Sequence, residues 1–136
     1  MLEATFSWPV RVYWEDTDAG GIVFYANYLK FFERARTEWL RSLDIEQQKL
    51  KNDTGGMFVV AETSVKYLRP ARLDDELIVT ARLQKNGHAS MTILQQTLIK
   101  NTVLCEGTIR IGWVNATSLQ PARIPKNIIK SLRATP

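Results

Sequence analysis

The sequence has very little of the residues that mark disulfide scaffolds, metal clusters and membrane spans. Its 136 residues include one cysteine, Cys105, and one histidine, so neither an intramolecular disulfide nor a cysteine–histidine metal site is expected. No run approaches the roughly 18 consecutive apolar residues that a membrane helix needs. The segment MLEATFSWPV lacks the pattern of a signal peptide, and the expected location is therefore the cytoplasm.

Charge of one sign is also never concentrated in this sequence. The net charge of +4 favours an anionic partner. The cations are spread along the chain, however, without a run of five or six and without an aromatic-interleaved RNA motif, so nucleic acid is not expected. The apolar fraction of 45% and charged fraction of 24% are typical of a soluble globular protein. The length predicts one domain, residues 1–136.

The remaining pattern predicts an α+β fold with one long helix and one antiparallel sheet. Apolar residues at helical spacing predict a helix over about residues 26–43, with shorter helices at 45–51 and after Pro125. Strands are predicted at residues 6–14, 57–68, 77–84, 91–99 and 103–113. Asn86-Gly87 favours a type I′ turn, and a second turn is expected at Asn101-Thr102. Since one helix leaves the outer sheet face bare, self-association is expected.

Three carboxylates lie within four residues, just before two glycines and the predicted long helix: Glu15, Asp16 and Asp18. One interpretation is a solvated acidic turn that favours the helix N-terminus. A calcium loop starting at Asp16 would have Gly21 in sixth position but Asn27, rather than glutamate, in twelfth. An Asp-x-Asp phosphotransferase would need a parallel α/β sheet, which the pattern does not predict.

The fourth interpretation of the acidic segment is catalytic. Free backbone N–H groups at a helix start can stabilise the oxyanion that forms when a carbonyl carbon is attacked. An adjacent carboxylate can attack that carbon or activate a water. A thioester suits so sparse a site because its thiolate leaves readily.

A resemblance to a known family favours this last interpretation. The segment VRVYWEDTDAGGIVFYANYLKFFERARTEWL closely resembles the signature of the Tol–Pal-associated acyl-CoA thioesterases, within the 4-hydroxybenzoyl-CoA thioesterase family. YLRPARLDDEL and LQPARIPKNI resemble two further family segments, so the resemblance covers essentially the whole chain. It implies a hot-dog fold, with five strands wrapped around one central helix, and assembly into dimers or tetramers with active sites at the dimer interface.

The resemblance also implies roles for individual residues. Asp18 matches the family's catalytic carboxylate, and the backbone N–H of Tyr25 matches the group that polarises the thioester carbonyl. The Tol–Pal branch usually has histidine at position 25, whereas the 4-hydroxybenzoyl-CoA branch has an aromatic residue there. Neither a metal nor a cofactor is expected, because coenzyme A is part of the substrate.

Several residues are candidates for binding the substrate rather than transforming it. The candidates are Gly20 and Gly21 beside Asp18, and the cationic residues Arg69, Arg72, Lys85 and His88, which are expected to contact CoA phosphates. An acyl carrier protein is a possible partner in place of CoA. Two rival functions remain open at this point: a catalytically silent hot-dog scaffold, and a hot-dog dehydratase, for which His88 is poorly placed.

Overall fold

The computed structural model describes residues 5–135, which form an antiparallel five-stranded sheet with helices. The elements in chain order are β1 (Phe6–Arg11), a 3₁₀ turn (Trp14–Asp16), α1 (Asn27–Ser42), α2 (Gln47–Thr54), β2 (Gly56–Tyr67), β3 (Glu76–Asn86), β4 (Ser90–Ile99), β5 (Thr102–Asn115) and α3 (Lys126–Arg133). The strand order across the sheet is β1-β3-β4-β5-β2. The α+β architecture predicted from the sequence is confirmed. Within residues 5–135, no helix is long and apolar enough to cross a membrane.

Helix α1 packs on one face of the sheet, mainly against β1, β3 and β4. Its apolar stripe, including Phe31 and Phe32, is fully buried against the strands. Close approach to β5 depends on Gly107, where an added Cβ would lie 2.6 Å from the Phe32 ring. The apolar face that the helical spacing predicts is therefore the face of α1 that packs on the sheet and forms the core.

The half of the sheet farthest from β1 is much less covered. Strand β2 is an edge of the sheet, and most of its residues from Val60 to Tyr67 are exposed. Val60 and Tyr67 are 53% and 45% exposed, which is high for large apolar or aromatic side chains. An unpaired edge with exposed apolar side chains is the kind of surface that pairs with another chain.

Two local predictions were wrong. β1 ends at Arg11 rather than at residue 14, because the following residues turn into the 3₁₀ segment. The β3–β4 hairpin does not contain the predicted type I′ turn at Asn86-Gly87, because neither residue has positive φ. A bulge in β3 shifts the register of the hairpin. The turn is closed instead by a hydrogen bond from the Gly87 N–H to the Ser90 carbonyl (2.8 Å). Paired positive φ occurs instead in the β4–β5 turn, at Lys100 (47°) and Asn101 (68°).

Candidate functional site

The connection between β1 and α1 folds into a small hairpin that presents Asp18. Thr17 pairs with Val23, and the Asp18 N–H donates to the Ile22 carbonyl at 2.9 Å. The Gly21 N–H closes the turn onto the Asp18 carbonyl at 3.0 Å. Gly21 has φ of 79°, a conformation that favours glycine. The sequence therefore places Asp18 at a rigid turn rather than in a mobile loop.

The Asp18 carboxylate is oriented by a hydrogen bond to one of its two oxygens only. Its Oδ1 accepts a hydrogen bond from the Gly20 N–H at 2.8 Å, and a Cβ on Gly20 would lie only 3.2 Å from that oxygen. The other oxygen, Oδ2, accepts no hydrogen bond from residues 5–135, and the side chain is exposed. A carboxylate held in this way keeps one oxygen for a substrate or a water.

Asp16 has the opposite environment, although it lies only two residues away. It is 3% exposed, and its two oxygens accept hydrogen bonds from the Tyr13 N–H (2.8 Å) and the Asn27 side-chain amide (2.6 Å). It therefore fastens the loop to the first residue of α1. With Asn27 donating toward Asp16, the calcium-loop alternative is excluded. Among residues 5–135, no group of three or more histidine, cysteine, aspartate or glutamate side chains could hold a metal ion.

The turn that opens α1, seven residues after Asp18 in the chain, leaves backbone donors without an acceptor in the part of the chain that the structure describes. Neither the Tyr25 N–H nor the Ala26 N–H has an acceptor among residues 5–135. The Tyr25 carbonyl accepts a hydrogen bond from the Tyr67 hydroxyl at 2.8 Å. Since Tyr67 is the last residue of β2, this bond connects the start of α1 to the end of that strand. Desolvation raises the pKa of Tyr67, so this phenol stays protonated and remains a donor. Sequence analysis missed Tyr67, because nothing in the pattern linked β2 to the helix start.

Aromatic rings surround these donors. Tyr25 contacts Phe24 and Tyr67, with ring centroids 4.8 and 6.2 Å apart, and Tyr28 contacts Tyr67 at 5.6 Å. The Tyr25 ring itself is 64% exposed. The residue that carries the Tyr25 N–H therefore belongs to an aromatic cluster that is itself open to solvent, as a site that receives a substrate would be.

The arginines predicted to bind the substrate lie at the same end of the sheet as Asp18. Arg72 pairs through its backbone with Ile22 of the Asp18 hairpin, and its N–H donates to the Asp75 carboxylate (2.8 Å). The Arg69 N–H donates to the Leu104 carbonyl at 3.1 Å. Both side chains are exposed, as binding of a phosphate would require.

Lys85 and His88, in contrast, lie at the other end of β3. β3 pairs with β1 near the Asp18 hairpin and runs 11 residues away from it, which at ~3.3 Å per residue is roughly 30 Å. There His88 lines a basic groove between the hairpin and α3, with a volume of about 650 Å³. Its other basic lining residues are Arg123, Lys126, Lys130 and Arg133, and within residues 5–135 no acidic residue lines it. One chain therefore does not bring Lys85 or His88 to Asp18.

Comparison with known proteins agrees with this architecture. Residues 12–132 match the family model of the thioesterase-like superfamily. The chain is 43% identical to the acyl-CoA thioesterase YbgC of Haemophilus influenzae, over 94% of each chain. It is 40% identical to the acyl-CoA thioester hydrolase YbgC of Escherichia coli O157:H7, over 98% of this chain and 99% of the relative.

A solved structure extends the agreement to three dimensions. The crystal structure of a probable thioesterase from Bartonella henselae superposes with a TM-score of 0.84 at 31% identity, covering 90% of this chain and all of the other. The hot-dog fold implied by the sequence resemblance is thereby confirmed, as is the expectation of a hydrolase acting on thioester bonds. In sequence and in fold, this chain belongs to the thioesterase-like superfamily.

Proposed function

We propose that the protein hydrolyses acyl-CoA thioesters to the free acid and the CoA thiol, with Asp18 as the reacting carboxylate. One observation carries this proposal: Asp18 has an oriented carboxylate with an uncommitted oxygen, close in the chain to the free N–H groups that open α1. The names of the two YbgC relatives describe the same reaction.

In the proposed reaction, the backbone and the carboxylate have separate tasks. The Tyr25 N–H donates to the thioester oxygen and stabilises the oxyanion that develops there. Asp18 either removes a proton from an attacking water or attacks the carbonyl carbon itself to form a mixed anhydride, which water then hydrolyses. In both routes the C–S bond breaks, and the sulfur leaves as a thiolate that takes up a proton. No metal or additional cofactor is required.

The test is a thiol-release assay across short, long and aromatic acyl-CoAs. Asp18→Asn keeps the size of the side chain and removes its charge, so kcat should fall at least about a hundredfold while KM changes much less. Glu15→Gln, which changes an exposed carboxylate in the same loop, is the matched control and should retain the parental kcat. Full activity of Asp18→Asn on a good substrate would show that the catalytic centre lies elsewhere.

Tyr25 separates the role of the backbone from that of the side chain. Because the proposed donor is the peptide N–H, Tyr25→Phe should stay within roughly tenfold of the parent, and Tyr25→His should be tolerated. A Tyr25→Phe variant as impaired as Asp18→Asn would mean that the phenol takes part directly.

The proposed substrate contacts need a second copy of the chain. The exposed edge of β2 is suited to strand pairing, and a dimer closed by a twofold axis there would place the far end of one protomer beside the Asp18 end of the other. Arg69 and Arg72 would then bind CoA phosphates from the same chain as Asp18, and Lys85 and His88 from the partner. Light scattering should report at least twice the chain mass of 15.6 kDa.

An acyl carrier protein is a second candidate for the thiol portion of the substrate. The lining of the basic groove holds no acidic residue from the range 5–135, and the groove is therefore complementary in charge to an acidic carrier domain. Comparing acyl-CoA with the same acyl group on a carrier protein decides this point. A lower KM for the carrier-bound substrate would favour the carrier protein.

A further inference from the structure

A four-residue turn precedes α1 and sets the direction of its first peptide groups. The Asn27 N–H donates to the Phe24 carbonyl at 2.8 Å, so Tyr25 and Ala26 are the two central residues of the turn. Ala26 has φ of −72° and ψ of −16°, a right-handed helical conformation. Such a turn does not use the N–H groups of its central residues, and at a helix start these groups point away from the body of the helix. The turn therefore leaves two consecutive donors at the N-terminal end of α1.

The Tyr25 carbonyl receives its hydrogen bond from a side chain instead of from the helix. In a regular α-helix the Leu29 N–H would donate to this carbonyl. Here the Leu29 N–H donates to the Ala26 carbonyl at 3.1 Å, and the Tyr67 hydroxyl donates to the Tyr25 carbonyl at 2.8 Å. Tyr67 therefore takes the place of a helical donor at the peptide group that begins the helix.

This hydrogen bond acts on one planar unit, the peptide group that joins Tyr25 to Ala26. Among residues 5–135 no peptide bond is cis, so the Tyr25 carbonyl and the Ala26 N–H point in opposite directions within one plane. Because Tyr67 holds the carbonyl, it also fixes the direction of the N–H on the other side. A hydroxyl that donates to a carbonyl polarises the amide as well, which makes the amide N–H a stronger donor.

The Tyr67 side chain is itself held in place by two elements of the fold. Its backbone pairs with Cys105 at the end of the ladder between β2 and β5. The next residue, Leu68, donates its N–H to the Leu104 carbonyl at 2.8 Å. The Tyr67 ring contacts the buried ring of Tyr28 on α1, with centroids 5.6 Å apart. The hydroxyl is therefore carried by a side chain that both the sheet and the helix position.

We propose that Tyr67 is a positioning residue for thioester hydrolysis: its hydroxyl holds and polarises the Tyr25–Ala26 peptide group, so that the Ala26 N–H joins the Tyr25 N–H as a second donor to the thioester oxygen. The inference rests on the proposed function and adds to it one donor and the side chain that directs this donor. Two donors of fixed direction stabilise the oxyanion more than the ground-state carbonyl, because negative charge on the oxygen grows as the carbon is attacked. Tyr67 itself makes no contact with the reacting atoms in this arrangement.

The first experiment removes only the hydroxyl, in Tyr67→Phe, and measures thiol release from the acyl-CoA that the parent protein hydrolyses fastest. kcat should fall about tenfold, less than when an oxyanion donor is lost outright, because the Ala26 N–H remains but is no longer directed. KM should change less than about twofold, since the contact matters mainly in the transition state. Tyr13→Phe, the same change at an exposed tyrosine, is the matched control and should retain the parental kcat. A rise in KM with unchanged kcat would mean that the Tyr67 phenol binds the substrate, and the proposal would be wrong.

The second experiment separates hydrogen-bond donation from the chemistry of the phenol. With para-aminophenylalanine in place of Tyr67, the amino group can donate to the Tyr25 carbonyl, so most of the kcat lost in Tyr67→Phe should return. The NMR resonance of the Ala26 amide nitrogen reports the same bond without turnover, because a hydrogen bond at a carbonyl shifts the nitrogen of the following residue downfield. This resonance should move upfield in Tyr67→Phe and return with para-aminophenylalanine. An unmoved resonance, or a moved resonance with parental kcat, would overturn the proposal.

A double-mutant cycle tests whether Tyr67 acts through Ala26. Replacing Ala26 by the corresponding α-hydroxy acid exchanges its N–H for an ester oxygen. This N–H has no acceptor among residues 5–135, so the exchange removes no hydrogen-bond donor that the described fold uses. The ester protein should lose at least about a hundredfold in kcat, the effect of one missing oxyanion donor, and Tyr67→Phe should then lower kcat less than about twofold further. Parental kcat in the ester protein, or two losses that simply multiply, would contradict the proposal.

The failure of this inference and the failure of the proposed function give different results. If Asp18→Asn keeps full activity, the catalytic centre lies elsewhere and the proposed function fails. If Asp18→Asn is impaired and Tyr67→Phe is not, the proposed hydrolysis stands and only the role given to Tyr67 and Ala26 is wrong. Light scattering of Tyr67→Phe should report the same mass as the parent. A smaller mass would count against the proposal, because the loss of kcat would then come from lost assembly.

Discussion

The two ends of the sheet offer a ligand very different chemistry. The end that carries the Asp18 hairpin has an exposed carboxylate, backbone N–H groups at Tyr25 and Ala26 without an acceptor among residues 5–135, and a cluster of aromatic rings. The end that carries the β3–β4 hairpin and α3 has a groove lined by cations. In one chain the length of β3 separates them. In the proposed dimer, a substrate with a thioester and several phosphates would be divided between the two protomers.

The largest effect is expected from mixing two chains that are each impaired at a different end. In homodimers, Asp18→Asn should lose at least about a hundredfold in kcat, and a chain with Lys85, His88 and Lys126 changed to Gln should show a KM about tenfold higher at low ionic strength. A heterodimer purified with two different tags would contain one native composite site. Its kcat/KM should return to about half the parental value, because one of its two sites combines both intact ends.

The matched control for this mixing experiment changes the cations at the Asp18 end. A chain with Arg69→Gln and Arg72→Gln should leave kcat/KM well below half the parental value when paired with Asp18→Asn, because these arginines serve the carboxylate of their own chain. Recovery with that chain, or its absence with the Lys85 chain, would contradict the proposed division of the site between protomers.

A smaller effect is expected within the Asp18 end itself, where two carboxylates differ in role. Asp16→Ala removes the acceptor for the Tyr13 N–H and the Asn27 amide, so the free energy of unfolding should fall by about 1–3 kcal/mol. Asp18→Asn should leave stability nearly unchanged, and Glu15→Ala should change it by less than ~0.5 kcal/mol. Urea denaturation measures all three. Equal stabilities of Asp16→Ala and Glu15→Ala would mean that Asp16 does not anchor the loop.

The same two ends show which features the sequence could predict. The helical spacing of apolar residues located α1 within one residue at each end, because burial of one helix face constrains that spacing over four turns. Residue type and spacing did not separate Asp16 from Asp18, since both are acidic residues before a helix, and only the family resemblance singled out Asp18. Only the hydrogen bonds to Tyr13 and Asn27 distinguish the structural carboxylate from the exposed one.

The sequence pattern did not predict the features that depend on strand register. Asn86-Gly87 has the composition of a type I′ turn, yet the register shifts between Leu83 and Lys85, and the turn closes between Gly87 and Ser90, two residues later than that composition predicts. The sequence likewise did not predict that Arg36 is held against the sheet, because an arginine beside the apolar stripe of a helix is usually solvated. Its partner Gln95 lies 59 positions away, and only the packing of α1 on β4 brings the two together.

The smallest predicted effect concerns Cys105, which lies at the Asp18 end opposite Tyr67 and Thr97. Burial raises the pKa of the Cys105 thiol from its ordinary value of 9.0 to about 12. The unfolded chain therefore releases this proton above about pH 9, whereas the folded chain keeps it. Folding stability is fully present below pH 9 and falls as pH rises toward 12, because the unfolded state binds fewer protons in that interval.

The measurement compares the free energy of unfolding of the parent with that of Cys105→Ala at pH 8, 9 and 10. Between pH 9 and 10 the parent should lose about 1 kcal/mol more than the variant, close to the limit of ~1.4 kcal/mol per pH unit for one proton. Tyr28 and Tyr67, whose pKa values are raised mainly by burial and also by the charge of Cys105, are present in both proteins, so the part of their titration that is due to burial cancels in the comparison. Cys105→Ala lowers stability at every pH by creating a small cavity, and only the difference in slope is diagnostic. Parallel pH profiles would show that the thiol titrates as freely in the folded protein as in the unfolded chain, and that this end of the sheet admits solvent around Cys105.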